Sequence, residues 1–304
     1  MIVTYMIQQI KQFIRGLALK NHSEANYKFV LKDWISLKDL SAISRVLETK
    51  RFSRNLDPII MIGPKARRVL FLSPHPDDDV ISSGGTLLHL IRDGCEVKVV
   101  YLTSGSIKTY QDEENKVLSE AVYTLEEESK RVSKELGTSL EFWRFNSFDN
   151  REIKIGNEIV KRIKEIFVKL KPDAVFMPFI ADDHDDHRRC VQLFYEAFKD
   201  MKDVDFEVWA FQVYSTVLPN IVVDITDVID EKIRLINYWE SIKKSRDWGH
   251  YAKGLNAFNS RFLKTNRPHY AESFFVVPAK EYIELCSIYF KNPDDNIYYY
   301  NSNR

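Results

Sequence analysis

Between Ser73 and Gly85 the chain gathers one imidazole and three carboxylates within five residues: His75, Asp77, Asp78 and Asp79. Far along the sequence a second stretch answers it, Asp182-Asp183-His184-Asp185-Asp186-His187, which holds two of the seven histidines. Two imidazoles and one carboxylate around an ion, with a coordination position left open, make a catalytic zinc set. The candidates are His75, Asp78 and His187. His75 and Asp78 are three apart in a tight loop, so both can reach one ion. Nitrogen and oxygen donors without thiolates suit Zn²⁺, and Fe²⁺, Co²⁺ or Mn²⁺ also fit. Water on such an ion has its pKa lowered toward ~7 and becomes a nucleophile at neutral pH. Asp77 is placed to take the water's proton as general base. His184 can donate to a developing oxyanion or protonate a leaving amine, and Asp186 can orient it. These parts fit hydrolysis of an amide or ester through a tetrahedral intermediate.

Each stretch alone carries little weight. An Asp-Asp-Asp run is commonly a solvated loop, and Asp79 or Ser82 can simply cap a following helix. Together the two stretches bring so many carboxylates to one place that a cation is needed to hold them there. His22, His89, His250 and His269 read as surface or packing residues, and Asp182 and Asp183 as loop surface. Trp239, Trp248, Tyr251 and Phe258 suit either a ligand surface or the core.

The elements must deliver both loops to one point. From Arg68 onward apolar runs at 68–74, 96–103, 140–145 and 174–179 alternate with helical patterns at 84–93, 115–136, 156–170 and 187–200. Short strands between longer helices build βαβ units, hence an α/β protein with a mainly parallel sheet covered on both faces. In a doubly wound sheet of order 3-2-1-4-5, strands one and four are neighbours whose connections leave in opposite directions, and ligands bind in the crevice between their carboxyl ends. Strand 68–74 is number one and 174–179 number four. The runs 206–215 and 221–225 are expected to pair antiparallel at an edge, followed by a helix over 227–244, an aromatic loop over 248–270, a strand over 274–277 and a last helix over 279–289. Three regions result: a helical N-terminal extension, 1–65, with Ile7, Ile10, Phe13, Ile14 and Leu17 on one face; a main domain, 66–290; and a polar tail, 291–304.

The chain has 304 residues, 44% of them hydrophobic, enough for a full core. Charge is balanced, with 44 basic and 44 acidic residues, which argues against a nucleic-acid partner. Cys95, Cys190 and Cys286 form no CxxC pair and fit a reducing compartment. No apolar run is long enough to span a bilayer, so the expectation is a cytoplasmic, soluble protein. The N-terminal helix leaves room for a membrane-surface contact or a homo-oligomer.

At these residues the sequence resembles the LmbE-like, or PIG-L, family of zinc-dependent deacetylases. Its (A/P)HPDDE motif stands as Pro74-His75-Pro76-Asp77-Asp78-Asp79 and its HxDH motif as His184-Asp185-Asp186-His187. Gly84-Gly85-Thr86-Leu87, Thr103-Ser104-Gly105, Val223-Asp224-Ile225-Thr226-Asp227 and Tyr270-Ala271-Glu272-Ser273-Phe274 match further stretches, so the likeness covers about residues 66 to 278. The resemblance implies a three-layer αβα Rossmann-like sandwich and one catalytic zinc held by His75, Asp78 and His187. It also implies that Asp77 is the base, that His184 stabilises the oxyanion or acts as acid with Asp186 behind it, and that an N-acetylated amino sugar, free or in a small-molecule conjugate, loses its acetyl group. Two departures stand out. The family's glutamate is Asp79 here, and the helix around 125–128 lacks the arginine that usually precedes its glutamate. Another metal-dependent amidase, a two-metal phosphoesterase and a non-catalytic sugar-binding protein are the alternatives.

Overall fold

A computed structural model describes residues 58–104, 115–145, 155–201, 204–215, 217, 219–243 and 246–290, with side chains from 124 onward in the second segment. The amphipathic helix expected near the N-terminus and the polar tail lie outside the described residues.

Eight strands form one sheet: β1 (Ile59–Met61), β2 (Arg68–Ser73), β3 (Glu96–Tyr101), β4 (Ser139–Phe142), β5 (Ala174–Pro178), β6 (Glu207–Phe211), β7 (Ile221–Asp224) and β8 (Ala271–Pro278). Their order is β1-β7-β8-β6-β5-β2-β3-β4. Strands β4, β3, β2, β5 and β6 run parallel and reproduce the order 3-2-1-4-5, with β2 between β3 and β5. The far side differs from expectation. The runs at 206–215 and 221–225 do not pair with each other, because β8 lies between β6 and β7 and is antiparallel to both. A late strand with apolar residues on both faces wins that central position, where it buries all of Ala271–Val277. The short edge strand β1, parallel to β7, carried too few residues to be read as a strand.

The helices are α1 (Asp78–Arg92), α2 (Asn115–Leu136), α3 (Asn157–Leu170), α4 (Asp185–Phe198), α5 (Ile229–Ile236), α6 (Glu240–Lys243), α7 (Trp248–Asn259) and α8 (Ala279–Tyr289). Two expectations are corrected. The helix over 227–244 is broken into α5 and α6. The aromatic region over 248–270 opens with α7, whose N-cap Asp247 accepts the His250 N–H at 2.9 Å.

Side chains alternate across the sheet, so each parallel strand feeds two cores. Leu70, Leu72, Val175 and Met177 join α3, α4 and α8 on one face. Val69, Phe71, Phe176 and Trp209 join residues of α1, α2, α5 and α7 on the other. Strands buried on both sides are apolar at every position, which is why Val69–Leu72 reads as an unbroken run. The three cysteines are free and buried. Among the described residues no helix is long and apolar enough to cross a membrane.

Candidate active site

β2 and β5 are adjacent, and the helices that follow them, α1 and α4, pack on opposite faces of the sheet. The carboxyl ends of the two strands therefore flank a switch-point crevice. The loop after β2 is pinned beside β3: Leu102 N–H donates to Ser73 O at 2.9 Å, and Thr103 donates to Pro74 O from its N–H at 3.0 Å and its hydroxyl at 2.8 Å. The His75 carbonyl accepts from Ser73 Oγ at 2.8 Å and from Asp77 N–H at 3.0 Å, folding the loop back on itself. Asp77 then takes φ 157°, ψ −26°, a conformation that is sparsely populated outside glycine and clusters at functional sites.

Helix α1 starts at Asp78, earlier than the apolar periodicity indicated, so Asp78 and Asp79 form its first turn. Carboxylates are favoured there by the helix dipole, so Asp78 and Asp79 also stabilise the helix start. The two glycines that follow permit close packing. A Cβ on Gly85 would lie 2.5 Å from Ile225 Cγ2, so α1 could not approach the 225–232 segment without glycine at that position.

The two loops meet. Asp78 Oδ2 lies 3.1 Å from His75 Nδ1 and 3.2 Å from His187 Nε2, and accepts the His75 backbone N–H at 2.9 Å. The imidazoles of His75, His184 and His187 converge, with ring centroids 4.7 to 5.3 Å apart. One nitrogen from each lies within 4.8 Å of the others, close enough to hold a metal ion. The donor set found among the described residues is thus the three histidines, and Asp78 of the expected set adjoins two of them.

His75, Asp78, Asp182, Asp186 and His187 are buried, whereas Asp77 and His184 keep some exposure. His184 Nδ1 accepts the Asp186 backbone N–H at 3.2 Å, which caps α4 and fixes the ring. The expected contact between the Asp186 carboxylate and His184 is absent. Asp186 Oδ2 instead meets His75 Nε2 at 2.9 Å, and it is the backbone of Asp186 that orients His184.

Asp182, read from sequence as loop surface, is fully buried. Its Oδ1 lies 3.2 Å from His187 Nδ1 and accepts the His184 N–H at 3.1 Å, while Oδ2 accepts the N–H groups of Val213 and Tyr214. Carboxylates behind a ligating imidazole set its tautomer and basicity. The apolar Phe179-Ile180-Ala181 that carries the chain inward before Asp182 was the available sequence signal for this burial. Tyr214 was missed altogether: its ring stacks on His184 at 5.5 Å and tilts against His187 at 5.3 Å. The missing arginine of the 125–128 region is answered in space by Arg144. From the end of β4 its Nε and Nη2 each donate to the buried Glu126 carboxylate at 2.7 Å.

The electrostatics fit a cation. Burial and the charge of Asp78 push Asp77 well above the usual carboxylate range. Burial lifts Asp79 to about 7 against the opposing hydrogen bond from Tyr101. Burial pulls His187 down, but the charges of Asp78 and Asp182 outweigh it and hold the imidazole at about 9. His184 falls to about 3 through burial and the charges of His75 and His187. Both His187 ring nitrogens and one oxygen each of Asp79 and Asp186 are buried without a hydrogen bond. His187 Nε2 sits 3.2 Å from Asp78 Oδ2 and Nδ1 sits 3.2 Å from Asp182 Oδ1, so a carboxylate stands at each side of the buried ring.

Imidazoles and carboxylates able to hold one ion at the switch point of an α/β sheet define a class, the hydrolytic enzymes whose water is activated by a bound metal. Within that class the chain belongs to the PIG-L family: residues 70–198 match the family described as GlcNAc-PI de-N-acetylase. It is 30% identical over 237 residues to the diacetylchitobiose deacetylase of Thermococcus kodakarensis, spanning 72% of this chain and 86% of that one. A 1D-myo-inositol 2-acetamido-2-deoxy-alpha-D-glucopyranoside deacetylase of Corynebacterium diphtheriae is 30% identical over 172 residues, 49% of this chain and 57% of the relative. Among solved structures, the N,N'-diacetylchitobiose deacetylase of Pyrococcus horikoshii superposes with a TM-score of 0.61 at 24% identity, covering 80% of this chain and 94% of that one. The 4-carboxy-2-hydroxymuconate hydratase of Pseudomonas putida shares the fold at TM-score 0.59 and 20% identity, covering 69% of this chain and 96% of that one. Fold alone therefore does not select the reaction.

Proposed function

We propose that this protein is a zinc-dependent N-deacetylase that hydrolyses the acetamide of an N-acetylglucosamine-type conjugate to acetate and a free amine. The observation that carries the reading is the buried meeting of His75, Asp78 and His187, with the His187 ring nitrogens lacking hydrogen bonds. These three are the ligands, and the nitrogen and oxygen donor set supports Zn²⁺, with Fe²⁺, Co²⁺ and Mn²⁺ as the other candidates. When bound, the ion supplies Lewis acidity, which makes water more acidic and polarises an amide carbonyl.

The remaining steps belong to the chain. Asp77, partly exposed at the opening, accepts the proton of the water that attacks the carbonyl carbon. His184, fixed by the Asp186 N–H and partly exposed, presents its Nε2 side to the oxyanion that develops. As the C–N bond breaks, the proton held on Asp77 passes to the departing amine. Asp182 holds His187, and Asp186 holds His75. The partial exposure of His184 and the engagement of its Nδ1 in the helix cap support leaving it out of the ligand set, although its ring also lies close enough to contribute.

Acetate release from a panel of N-acetylglucosamine conjugates, with and without chelator, tests the reading. Chelation is expected to abolish release and added Zn²⁺ to restore it. Metal analysis separates the roles: His184→Ala and Asp77→Ala retain one equivalent, whereas His75→Ala and His187→Ala lose it. Two equivalents of metal together with hydrolysis of 4-nitrophenyl phosphate would point to the phosphoesterase alternative. Tight sugar binding without acetate release would point to the binding-protein alternative.

A further inference from the structure

One wall of the crevice continues outward from the histidines as a run of rings. Tyr214, 38% exposed, stacks on His184 with an interplanar angle of 26°. Trp248 meets Tyr214 edge-on at 6.0 Å and Tyr251 edge-on at 5.4 Å. Tyr251 is anchored by its hydroxyl, which donates to the Val213 carbonyl next to Tyr214. The outer end of the wall is Arg246, whose guanidinium lies 4.9 Å over the Trp248 ring and 5.8 Å from the Tyr251 centroid.

Arg246 differs from the other arginines at this edge. Arg188 donates to the Asp182 carbonyl and to Asp185, and Arg144 is held by Glu126. Arg246 is exposed and has no hydrogen-bond acceptor and no ion-pair partner among the described residues. Its neighbour Asp247 is engaged with the His250 N–H as the cap of α7. A cation–π contact engages one side of a guanidinium and leaves N–H groups available. Those N–H groups form a fork that matches two oxygens of a carboxylate or phosphoryl group.

We propose that Arg246, presented on the Trp248–Tyr251 shelf, is a specificity-determining residue that binds an oxyanion group carried by the substrate beyond its acetamido sugar. The proposal rests on the deacetylase reading above and narrows it: the conjugate is acidic on the side away from the reacting amide. Tyr214 supplies the apolar surface between the histidines and the guanidinium, against which the body of the substrate lies. The neutral conjugate enters the same crevice but leaves the guanidinium rim unmet.

The test compares 4-carboxyphenyl N-acetyl-β-D-glucosaminide with its methyl ester, in acetate release and, on the Asp77→Asn protein, in equilibrium binding. N-acetylglucosamine 1-phosphate serves as the phosphoryl probe. The wild-type protein is expected to prefer the carboxylate over the ester by about tenfold or more in KM, a preference that weakens with added salt. In Arg246→Gln the preference should collapse toward unity, and Arg246→Lys should restore it in part. A wild-type protein that does not distinguish either anionic probe from the ester, or a preference that survives in Arg246→Gln, overturns the proposal. If no probe releases acetate while the carboxylate still binds more tightly only when Arg246 is present, the deacetylase reading falls and this subsite stands.

Discussion

Helix α1 carries two buried charged clusters, one at its start and one in its middle, and they are built on opposite principles. In the middle, Glu272 of β8 reaches the helix. One carboxylate oxygen accepts the Gly85 N–H at 2.8 Å and Lys232 Nζ at 2.7 Å, and the other accepts the Thr86 N–H at 2.8 Å and hydroxyl at 2.6 Å. Lys232 also donates to Asn256 Oδ1, and Asn256 donates to the Ala271 carbonyl. One positive charge meets one negative, and both carboxylate oxygens have partners. At the helix start, Asp77, Asp78, Asp79, Asp182 and Asp186 surround three imidazoles, and several buried atoms have no hydrogen bond. Equal burial does not mean equal purpose. A balanced pair is a strut that locks α1 to β8 and α5, while surplus carboxylates with misaligned nitrogens leave an electrostatic place for a cation.

The contrast is broken most severely at the helix start. His187→Ala is expected to lose the metal and reduce acetate release to the uncatalysed background, as read by elemental analysis and a release assay. Asp77→Asn should keep the metal and lower kcat by about 10²–10⁴-fold, the range of a missing general base. In the middle of the helix, Lys232→Met should destabilise the fold by about 3–5 kcal/mol, because Glu272 is left buried without its counter-charge. Chemical denaturation measures it, and metal content at low temperature should be retained. The double variant Lys232→Met/Glu272→Leu sharpens the comparison: it should not recover fully, since the Gly85 and Thr86 amides lose their acceptor.

Glu272→Gln probes the same strut through pH. Burial already lowers the Lys232 pKa below its usual value, with Glu272 opposing that shift. Without the carboxylate the folded-state pKa drops further, so the unfolded chain binds more protons than the folded one between that value and about 10.4. The stability deficit of the variant should therefore shrink as pH rises toward 10, as thermal melts across that range would show. The mildest change is Asp182→Asn, which should weaken metal affinity by about 10–100-fold without abolishing it, as competition with a chelator would read.

Much of this was legible in the residues themselves. The unbroken apolar runs of β2 and β5 mark strands buried on both faces, and the acid-and-histidine loops that follow them mark the site. The parallel sheet follows from the βαβ rhythm, and the assumed order 3-2-1-4-5 of its five strands is the one found. Other features escaped for physical reasons. β8 looks like any late apolar run, and its central position depends on pairing partners that no local pattern encodes. Asp182 looks like a surface residue because aspartate beside aspartate commonly is one, and its burial is made tolerable by His187 and by the backbone amides of His184, Val213 and Tyr214, which no local pattern reveals. Gly85 could be read as a turn, yet it serves contact with Ile225 in the middle of a helix.

The sequence by itself determined the chemical inventory: which imidazoles and carboxylates exist, that they follow strands, and that together they are of the kinds that can hold a cation. Covalent order and side-chain period suffice for that, because both are local. Tertiary structure alone decided which atom faces which: that Asp186 meets His75 rather than His184, that Asp182 stands behind His187, and that Arg144 and Arg246 arrive from distant elements with different partners. Such pairings are settled by the packing of helices across a sheet, where an ångström separates a hydrogen bond from an orphaned charge and where residues remote in sequence share one low-dielectric space.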